Sequence, residues 1–202
     1  YGAENADGPF QKLTKTAHEP AWYSDFFSEN NRTRYYYVTA VNADFVQSEP
    51  SDTVSATSFE MNEEELLTAV QEAAFRFFYD YGHPASGLTR ERKGSGHTCA
   101  SGGTGFGLMN FPLAVNRGFI SREDAAARVL KICTFLRDKA VRHHGAWSHW
   151  IHGETGEILP FSTYDDGPDL VETAYVVQGL LTVRQYFDRN NETELQIRDI
   201  AT

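Results

Sequence analysis

The sequence predicts a small all-β segment, residues 1–59, followed by an all-α segment, residues 60–202. Short runs of β-branched and aromatic residues between turn residues predict the strands of the first segment. After Phe59, apolar residues recur at helical spacing, and amphipathic stretches alternate with nearly all-apolar ones. This alternation predicts two layers, in which apolar inner helices are covered by amphipathic outer helices.

The β segment is predicted to begin with a turn at residues 5–8 and a short strand at residues 10–13. Residues 34–42 (RYYYVTAVN) give the strongest strand signal in the chain because most of them are β-branched or aromatic. Residues 48–51 (SEPS) break this strand before a last one at residues 53–57.

The helical segment opens with Asn62, a favourable N-cap, and the three glutamates that follow complement the dipole of the first turn. Residues 81–84 (YGHP) end this first helix. A second, largely apolar helix is predicted at residues 104–116. Ser121 and Asp124 predict a capping-box-like start for a third, amphipathic helix that runs to about residue 140.

The rest of the segment is predicted to hold a hairpin and two more helices. Residues 147–152 and 157–161 flank a glycine-bearing turn and predict a β-hairpin. A fourth helix follows at about residues 168–187, and because it is apolar on nearly all sides we expect it to be buried on all sides. A fifth helix is expected from Glu194 onward.

Charge and composition exclude several classes of partner. The formal net charge of −10 disfavours a nucleic acid or an anionic membrane as the partner. The sequence has no run of about eighteen apolar residues, so no membrane span is predicted. Cys99 and Cys133 form neither a disulfide framework nor a zinc motif.

No cofactor is predicted. The glycine run at residues 102–107 lacks the lysine of a phosphate-binding loop, so we attribute these glycines to close helix packing or loop flexibility. The histidines that neighbour Gly and Trp residues have no metal-ligand spacing; they are His143, His144 and His152.

The start of the fourth helix is unusually acidic, with carboxylates at Asp165, Asp166, Asp169 and Glu172. Apolar helices tolerate carboxylates mainly where these are paired or open onto a wet cavity. If the helix begins near Pro168, Asp169 and Glu172 share a face and Asp165 reaches in from the loop. Capping explains Asp166 well and Asp169 partly, but it does not explain Glu172. The pattern alone leaves helix capping and a polar site as alternatives.

Residues 1–59 resemble the C-terminal two-thirds of a fibronectin type III domain. The resemblance is carried by residues 7–10 (DGPF), 35–42 (YYYVTAVN), 48–51 (SEPS) and 54–57 (VSAT). It implies a partial fibronectin III-like sandwich whose first strands precede Tyr1. Such a domain serves as a spacer or docking module, or merely packs against its neighbour, and we favour packing.

Residues 63–202 carry six motifs in an order that resembles the glucoamylase-like family of bacterial glycoside hydrolases, which includes endo-β-1,2-glucanases and a domain of cyclic β-1,2-glucan synthases. The motifs are residues 85–92 (ASGLTRER), 102–109 (GGTGFGLM), 117–123 (RGFISRE), 144–150 (HGAWSHW), 153–156 (GETG) and 165–174 (DDGPDLVETA). In the last motif Pro168 replaces a glycine of the family.

The second resemblance implies that residues 60–202 form an incomplete (α/α) toroid, with the remainder expected in the same polypeptide. It also implies inverting hydrolysis of a glucan, most specifically β-1,2-glucan, in the periplasm or outside the cell. A non-catalytic glucan-binding module and a glucan-processing domain of a larger synthase are the alternatives. Residues 1–202 by themselves are expected to be inactive, because part of the site would be absent.

Because capping does not explain Glu172 and the acids lie in a motif of the family, our hypothesis is that Asp165, Asp169 and Glu172 are the catalytic residues. Inverting hydrolysis needs a proton donor and a water-activating base, whose carboxyl groups stand about 6.5–9.5 Å apart. The partial positive charge of a helix N-terminus favours ionised carboxylates, so these acids suit a base or a sugar-binding role better than a donor role. We expect the proton donor beyond Thr202 or among the crowded acids.

Five further residues are candidates for binding the sugar. Trp147, His149 and Trp150 suit a sugar site because aromatic faces stack on pyranose rings, although one tryptophan is expected to pack in the core. Arg90 and Glu91 either hold sugar hydroxyls or anchor their loop through ion pairs.

Overall fold

The computed structural model describes residues 1–18, 22–26 and 28–202. The chain divides into two compact units, Tyr1–Leu67 and Thr68–Thr202. The described residues form five helices and three small antiparallel sheets. Because two of these sheets lie between the helices, the prediction that residues 60–202 are all-α is wrong in that respect.

The first unit contains one antiparallel sheet, formed by β1 (Gly2–Ala3), β2 (Thr33–Tyr36) and β3 (Val54–Thr57) in that order. The predicted turn at residues 5–8 is confirmed, because the N–H of Gly8 donates to the carbonyl of Asn5 at 3.0 Å. The short strand predicted at residues 10–13 shrinks to a single bridge between Gln11 and Gly2.

The strand predicted at residues 34–42 ends early, at Tyr36. Beyond it, the N–H groups of Val38 and Ala40 donate to the hydroxyls of Ser51 and Ser48. These N–H groups would otherwise be free to bond to a neighbouring strand and extend the sheet. Serine side chains typically compete with a sheet in this way. All four residues of β3 are exposed. Within the described part of the first unit no second sheet covers this one, so the fibronectin-like sandwich stays a prediction.

The helices begin and end close to their predicted bounds: α1 is Glu63–Asp80, α2 Ser101–Asn116, α3 Arg122–Asp138, α4 Leu170–Tyr186 and α5 Glu192–Ile200. Asn62 and Glu65 form a reciprocal capping box at the start of α1. The hydroxyl of Ser121 accepts the N–H of Asp124 at the start of α3. None of the helices among the described residues has the length and hydropathy to cross a bilayer.

Two small sheets connect the helices. The first has the order β4 (Thr98–Ala100), β7 (Trp150–His152) and β8 (Ile158–Leu159), and the second pairs β5 (Arg142–His143) with β6 (Ala146–Trp147). The predicted hairpin is confirmed as β7–β8, in which Trp150 pairs with Leu159. The third strand, β4, was not predicted, and it runs directly into α2.

Helices α2 and α4 pack backbone against backbone. A Cβ atom at Gly105 would lie 2.2 Å from the carbonyl oxygen of Tyr175, and one at Gly179 would lie 2.5 Å from the carbonyl oxygen of Gly105. Only glycine allows this approach, so this part of the glycine run serves close packing. Both helices also contribute apolar residues that are fully buried in the hydrophobic core: Leu108, Phe111, Val176 and Val183.

The prediction that the fourth helix is buried on all sides is wrong for the described chain. Only Val176, Gly179 and Val183 of α4 are buried. Large apolar residues on its other faces are exposed, among them Leu170, Val171 and Leu181. Helix α4 packs mainly against α2 and also contacts β6 and α5, whereas the faces that carry these exposed residues are left uncovered by residues 1–18, 22–26 and 28–202.

Candidate active site

Asp169 is the N-cap of α4. Its Oδ1 accepts the N–H groups of Val171 at 2.9 Å and of Glu172 at 3.0 Å, and its backbone is extended. The prediction that Asp166 is the cap is therefore wrong, since Asp166 lies in the exposed loop before the helix. The helix starts two residues later than expected because Pro168 pairs with Ser148 in an antiparallel bridge, which keeps the backbone extended there.

The second carboxylate oxygen of Asp169 faces His149. Nδ1 of His149 lies 3.5 Å from Oδ2 of Asp169, and the two side chains are 36% and 27% exposed. One oxygen of Asp169 therefore caps the helix while the other is partly accessible beside an imidazole. An imidazole in this position is able to donate a hydrogen bond or, when protonated, to form an ion pair.

Glu172 caps a different helix from the one that carries it. Its Oε2 accepts the N–H of Gly102 at 2.7 Å, in the first turn of α2. The N-cap residue of α2 is Ala100, which has no side-chain oxygen to offer. The carboxylate of Glu172 thus fills a position that a serine or aspartate would normally occupy in the same chain segment.

The segment between β6 and β7 ties the two helix N-termini together. The N–H of Asp169 donates to the carbonyl of Trp147 at 2.8 Å, and the N–H of Ser101 donates to the carbonyl of His149 at 3.0 Å. Oγ of Ser101 also donates to the carbonyl of Ser148 at 2.7 Å. Both acids are therefore held by main-chain hydrogen bonds in one region, where α2, α4 and this segment meet.

Asp165 lies on the loop that leads into α4. Its carbonyl accepts the N–H of Phe161 at 2.8 Å, and its N–H donates to the carbonyl of Ser162 at 3.2 Å. The residue is exposed. Within the described part of the chain its hydrogen bonds stay inside this loop. The structure therefore holds Asp169 and Glu172 firmly and leaves the carboxyl group of Asp165 at the surface.

An aromatic cluster lies beside Asp169, made of His149, Trp150 and Phe161. The ring centroids of Trp150 and Phe161 are 4.5 Å apart, and those of His149 and Phe161 are 5.8 Å apart. Phe161 is 55% exposed. The sequence reasoning missed Phe161, although it lies two residues beyond Leu159, the partner of Trp150, and so falls on the same face of the hairpin.

Trp147 has a different environment from Trp150. It is 6% exposed and belongs to the hydrophobic core, so its ring does not offer a face for stacking on a sugar. Its substrate-binding assignment is corrected on this ground, and the core role that we expected for one tryptophan falls to it. Nε1 of the half-buried Trp150 has no hydrogen-bond partner among the described residues.

Arg90 and Glu91 hold their own loop. Nε of Arg90 donates to the carbonyl of Gly96 at 3.0 Å, and Glu91 forms an ion pair with Arg92. The N–H of Glu91 donates to the carbonyl of Thr98. These contacts agree with the anchoring alternative, and the substrate-binding role of both residues stays a prediction.

Burial shifts the pKa of the two cysteine thiols and of the His83 imidazole away from neutral pH. Cys99 and Cys133 are free thiols in the core, and burial raises the pKa of each to about 12, so neither suits a nucleophile. Burial, followed by the nearby charge of Arg90, lowers the pKa of His83 to about 4. This imidazole is therefore neutral at pH 7.

The chain is similar to known β-1,2-glucan hydrolases. No family model matches it. It is 48% identical over 178 residues to an exo β-1,2-glucooligosaccharide sophorohydrolase (non-reducing end) of Parabacteroides distasonis, covering 87% of this chain and 24% of that protein. The chain thus spans about a quarter of the length of the curated relative that it matches.

Two crystal structures extend the comparison. A β-1,2-glucanase from Parabacteroides distasonis superposes with a TM-score of 0.81 at 47% identity, over 88% of this chain and 26% of that one. An endo-β-1,2-glucanase from Chitinophaga pinensis, in complex with sophorotriose and glucose, superposes with a TM-score of 0.66 at 41% identity, over 70% of this chain and 36% of that one.

Proposed function

We propose that this chain, which is homologous to bacterial β-1,2-glucanases and glucoamylase-like glycoside hydrolases, is part of an enzyme that hydrolyses β-1,2-glucan. The observation that carries the proposal is the high identity to β-1,2-glucan hydrolases across a region that contains the fixed acids Asp169 and Glu172. Hydrolysis of a glycosidic bond uses carboxyl groups on either side of the bond. In this chain the carboxylate of Asp169 lies beside the aromatic cluster of His149, Trp150 and Phe161.

The contacts of these residues suggest a role in hydrolysis for each of them. Oδ2 of Asp169 is not used in capping and belongs to a side chain that is partly exposed, so we propose that it takes a proton from water or accepts a sugar hydroxyl. The half-buried ring of Trp150 and the exposed ring of Phe161 lie next to His149 and offer an apolar face for a pyranose ring. The proton donor is assigned to Asp165 or to another carboxyl group of the complete polypeptide.

The finer structural expectations belong to the same proposal. Residues 60–202 are proposed to be part of an (α/α) toroid, and residues 1–59 part of a fibronectin III-like domain. The alternation of amphipathic and apolar helices supports the first, and the sheet β1–β2–β3 supports the second. A periplasmic or extracellular location is proposed from the family resemblance alone.

The complete polypeptide should be incubated with β-1,2-, β-1,3- and α-1,4-glucans while anomer-resolved NMR follows the products. We expect cleavage of β-1,2-glucan only, with inversion at the anomeric carbon. Cleavage of another linkage, or retention, would contradict the assigned substrate or mechanism. Binding of β-1,2-glucan without any product would instead establish the alternative of a binding module.

A further inference from the structure

Gly102 stands out from the other glycines of its run because of what surrounds it. A Cβ atom there would lie 2.4 Å from Oε2 of Glu172 and 2.8 Å from Cδ of the same residue. At Gly105 and Gly179, by contrast, the nearest atom is a backbone oxygen. The missing side chain at Gly102 therefore makes room for a carboxylate, whereas the other two glycines make room for a helix.

The carboxylate of Glu172 occupies the electropositive end of α2. The first N–H groups of a helix have no partner within it, and they carry a partial positive charge. In α2 the N–H of Ser101 binds the carbonyl of His149, and the N–H of Gly102 binds Glu172. A hydrogen bond of 2.7 Å to a carboxylate is of the charge-assisted kind, which is about twice as strong as a neutral one.

From these contacts we infer that the N–H of Gly102 is a positioning group for Glu172, which it holds as an oriented anionic carboxylate in the active site. Glu172 then serves as a fixed acceptor, for water or for a sugar hydroxyl, and not as the proton donor. The inference rests on the proposed hydrolase function, and it assigns a role to a glycine that the sequence reasoning attributed to packing or flexibility.

A single methyl group tests this role with little effect on folding. In Gly102→Ala the three atoms nearest to the methyl group all belong to the end of the flexible Glu172 side chain, so we expect this side chain to move aside while the helices stay packed. Gly103→Ala is the matched control in the same turn, because its Cβ would meet Cβ of Ala100 at 3.3 Å and the side chain of Thr89 at 3.6 Å or beyond. Both substitutions raise helix propensity equally.

Kinetics of the complete polypeptide on β-1,2-glucan give the first readout. Misplacing a catalytic group by about an ångström costs on the order of 100-fold in rate. We expect Gly102→Ala to lower kcat by about that factor with KM nearly unchanged, and Gly103→Ala to keep the wild-type kcat. In the Glu172→Gln background, adding Gly102→Ala should cause no further loss. A wild-type kcat for Gly102→Ala, or an additive loss in that background, would overturn the inference.

An NMR readout separates this inference from the proposed function. In the complete polypeptide labelled with [¹⁵N]glycine, the Gly102 amide is identified by the signal that disappears in Gly102→Ala. We expect this amide proton to move upfield in Glu172→Gln, because the charge-assisted hydrogen bond weakens. An unchanged shift contradicts the positioning contact even if the enzyme is active. A shifted amide in a protein that cleaves no glucan supports the contact and rejects the function.

Discussion

Replacing Asp169 by asparagine separates its capping role from its chemical role. Oδ1 of Asp169 accepts two N–H groups at the start of α4, and asparagine offers the same oxygen and is an equally good N-cap. At the helix start the substitution loses the attraction between the negative charge and the helix dipole, worth about 0.3–1 kcal/mol. We therefore expect the free energy of unfolding to fall by less than about 1 kcal/mol.

The same substitution removes the charge and one acceptor beside His149. Oδ2 of Asp169 becomes an amide nitrogen, which cannot take a proton from water. A positioned acid–base group contributes about 10²–10⁴-fold to rate. We therefore expect kcat for β-1,2-glucan to fall by at least about 100-fold.

Denaturant unfolding and initial-rate kinetics on the complete polypeptide measure the two effects. Ser121→Ala is the control, since it removes the N-cap of α3 outside the candidate site and should cost about 1 kcal/mol without changing kcat. If Asp169→Asn hydrolyses the glucan at the wild-type rate, Asp169 is only a cap and the reasoning from its second oxygen is refuted.

Three further predictions concern stability. Glu194 is 2% exposed and forms a bidentate pair with Arg122, which holds the pKa of Glu194 at about 2. Glu194→Gln should therefore lower the free energy of unfolding, measured with denaturant, by about 3–5 kcal/mol. The control Glu123→Gln breaks a surface pair and should cost under about 1 kcal/mol, so equal costs would contradict this prediction. Gly105→Ala should destabilise by about 3 kcal/mol, because a methyl group would clash with the backbone of α4, and an unchanged melting temperature would refute that packing. The free energy of unfolding should fall as pH drops from 6.5 to about 4, because His83 binds a proton in the unfolded chain but not in the folded one. The decrease is at most about 3 kcal/mol. If a His83→Asn variant shows the same dependence of stability on pH, His83 is not its cause.

Local signals determined much of the helical segment. Asn62 and Ser121 mark the starts of α1 and α3 because a side-chain cap is a contact between residues three positions apart. The hairpin β7–β8 follows from two short extended runs around a turn. Each of these features is decided by neighbours in the chain, so the sequence alone suffices to predict it.

Patterns that depend on distant partners were less informative. The apolar character of α4 predicted burial on all sides, yet burial depends on which surfaces meet the helix. Within the described residues it is covered mainly by α2, with smaller contacts to β6 and α5, and the rest of its surface is exposed. Likewise, the strand beyond Tyr36 is replaced by hydrogen bonds to the hydroxyls of Ser48 and Ser51, which lie about ten residues further along.

The acids at the start of α4 show most clearly which features depend on chain neighbours and which depend on distant partners. By itself, the sequence determined that Asp169 and Glu172 stand three residues apart at a helix start, which is also the spacing of a capping box. Only the tertiary structure decided that the box does not form. The N–H of Asp169 is taken by Trp147, and Glu172 turns to Gly102 on another helix. Local spacing fixes which face a side chain occupies, but its hydrogen-bond partner is chosen by whatever donor the fold brings within reach.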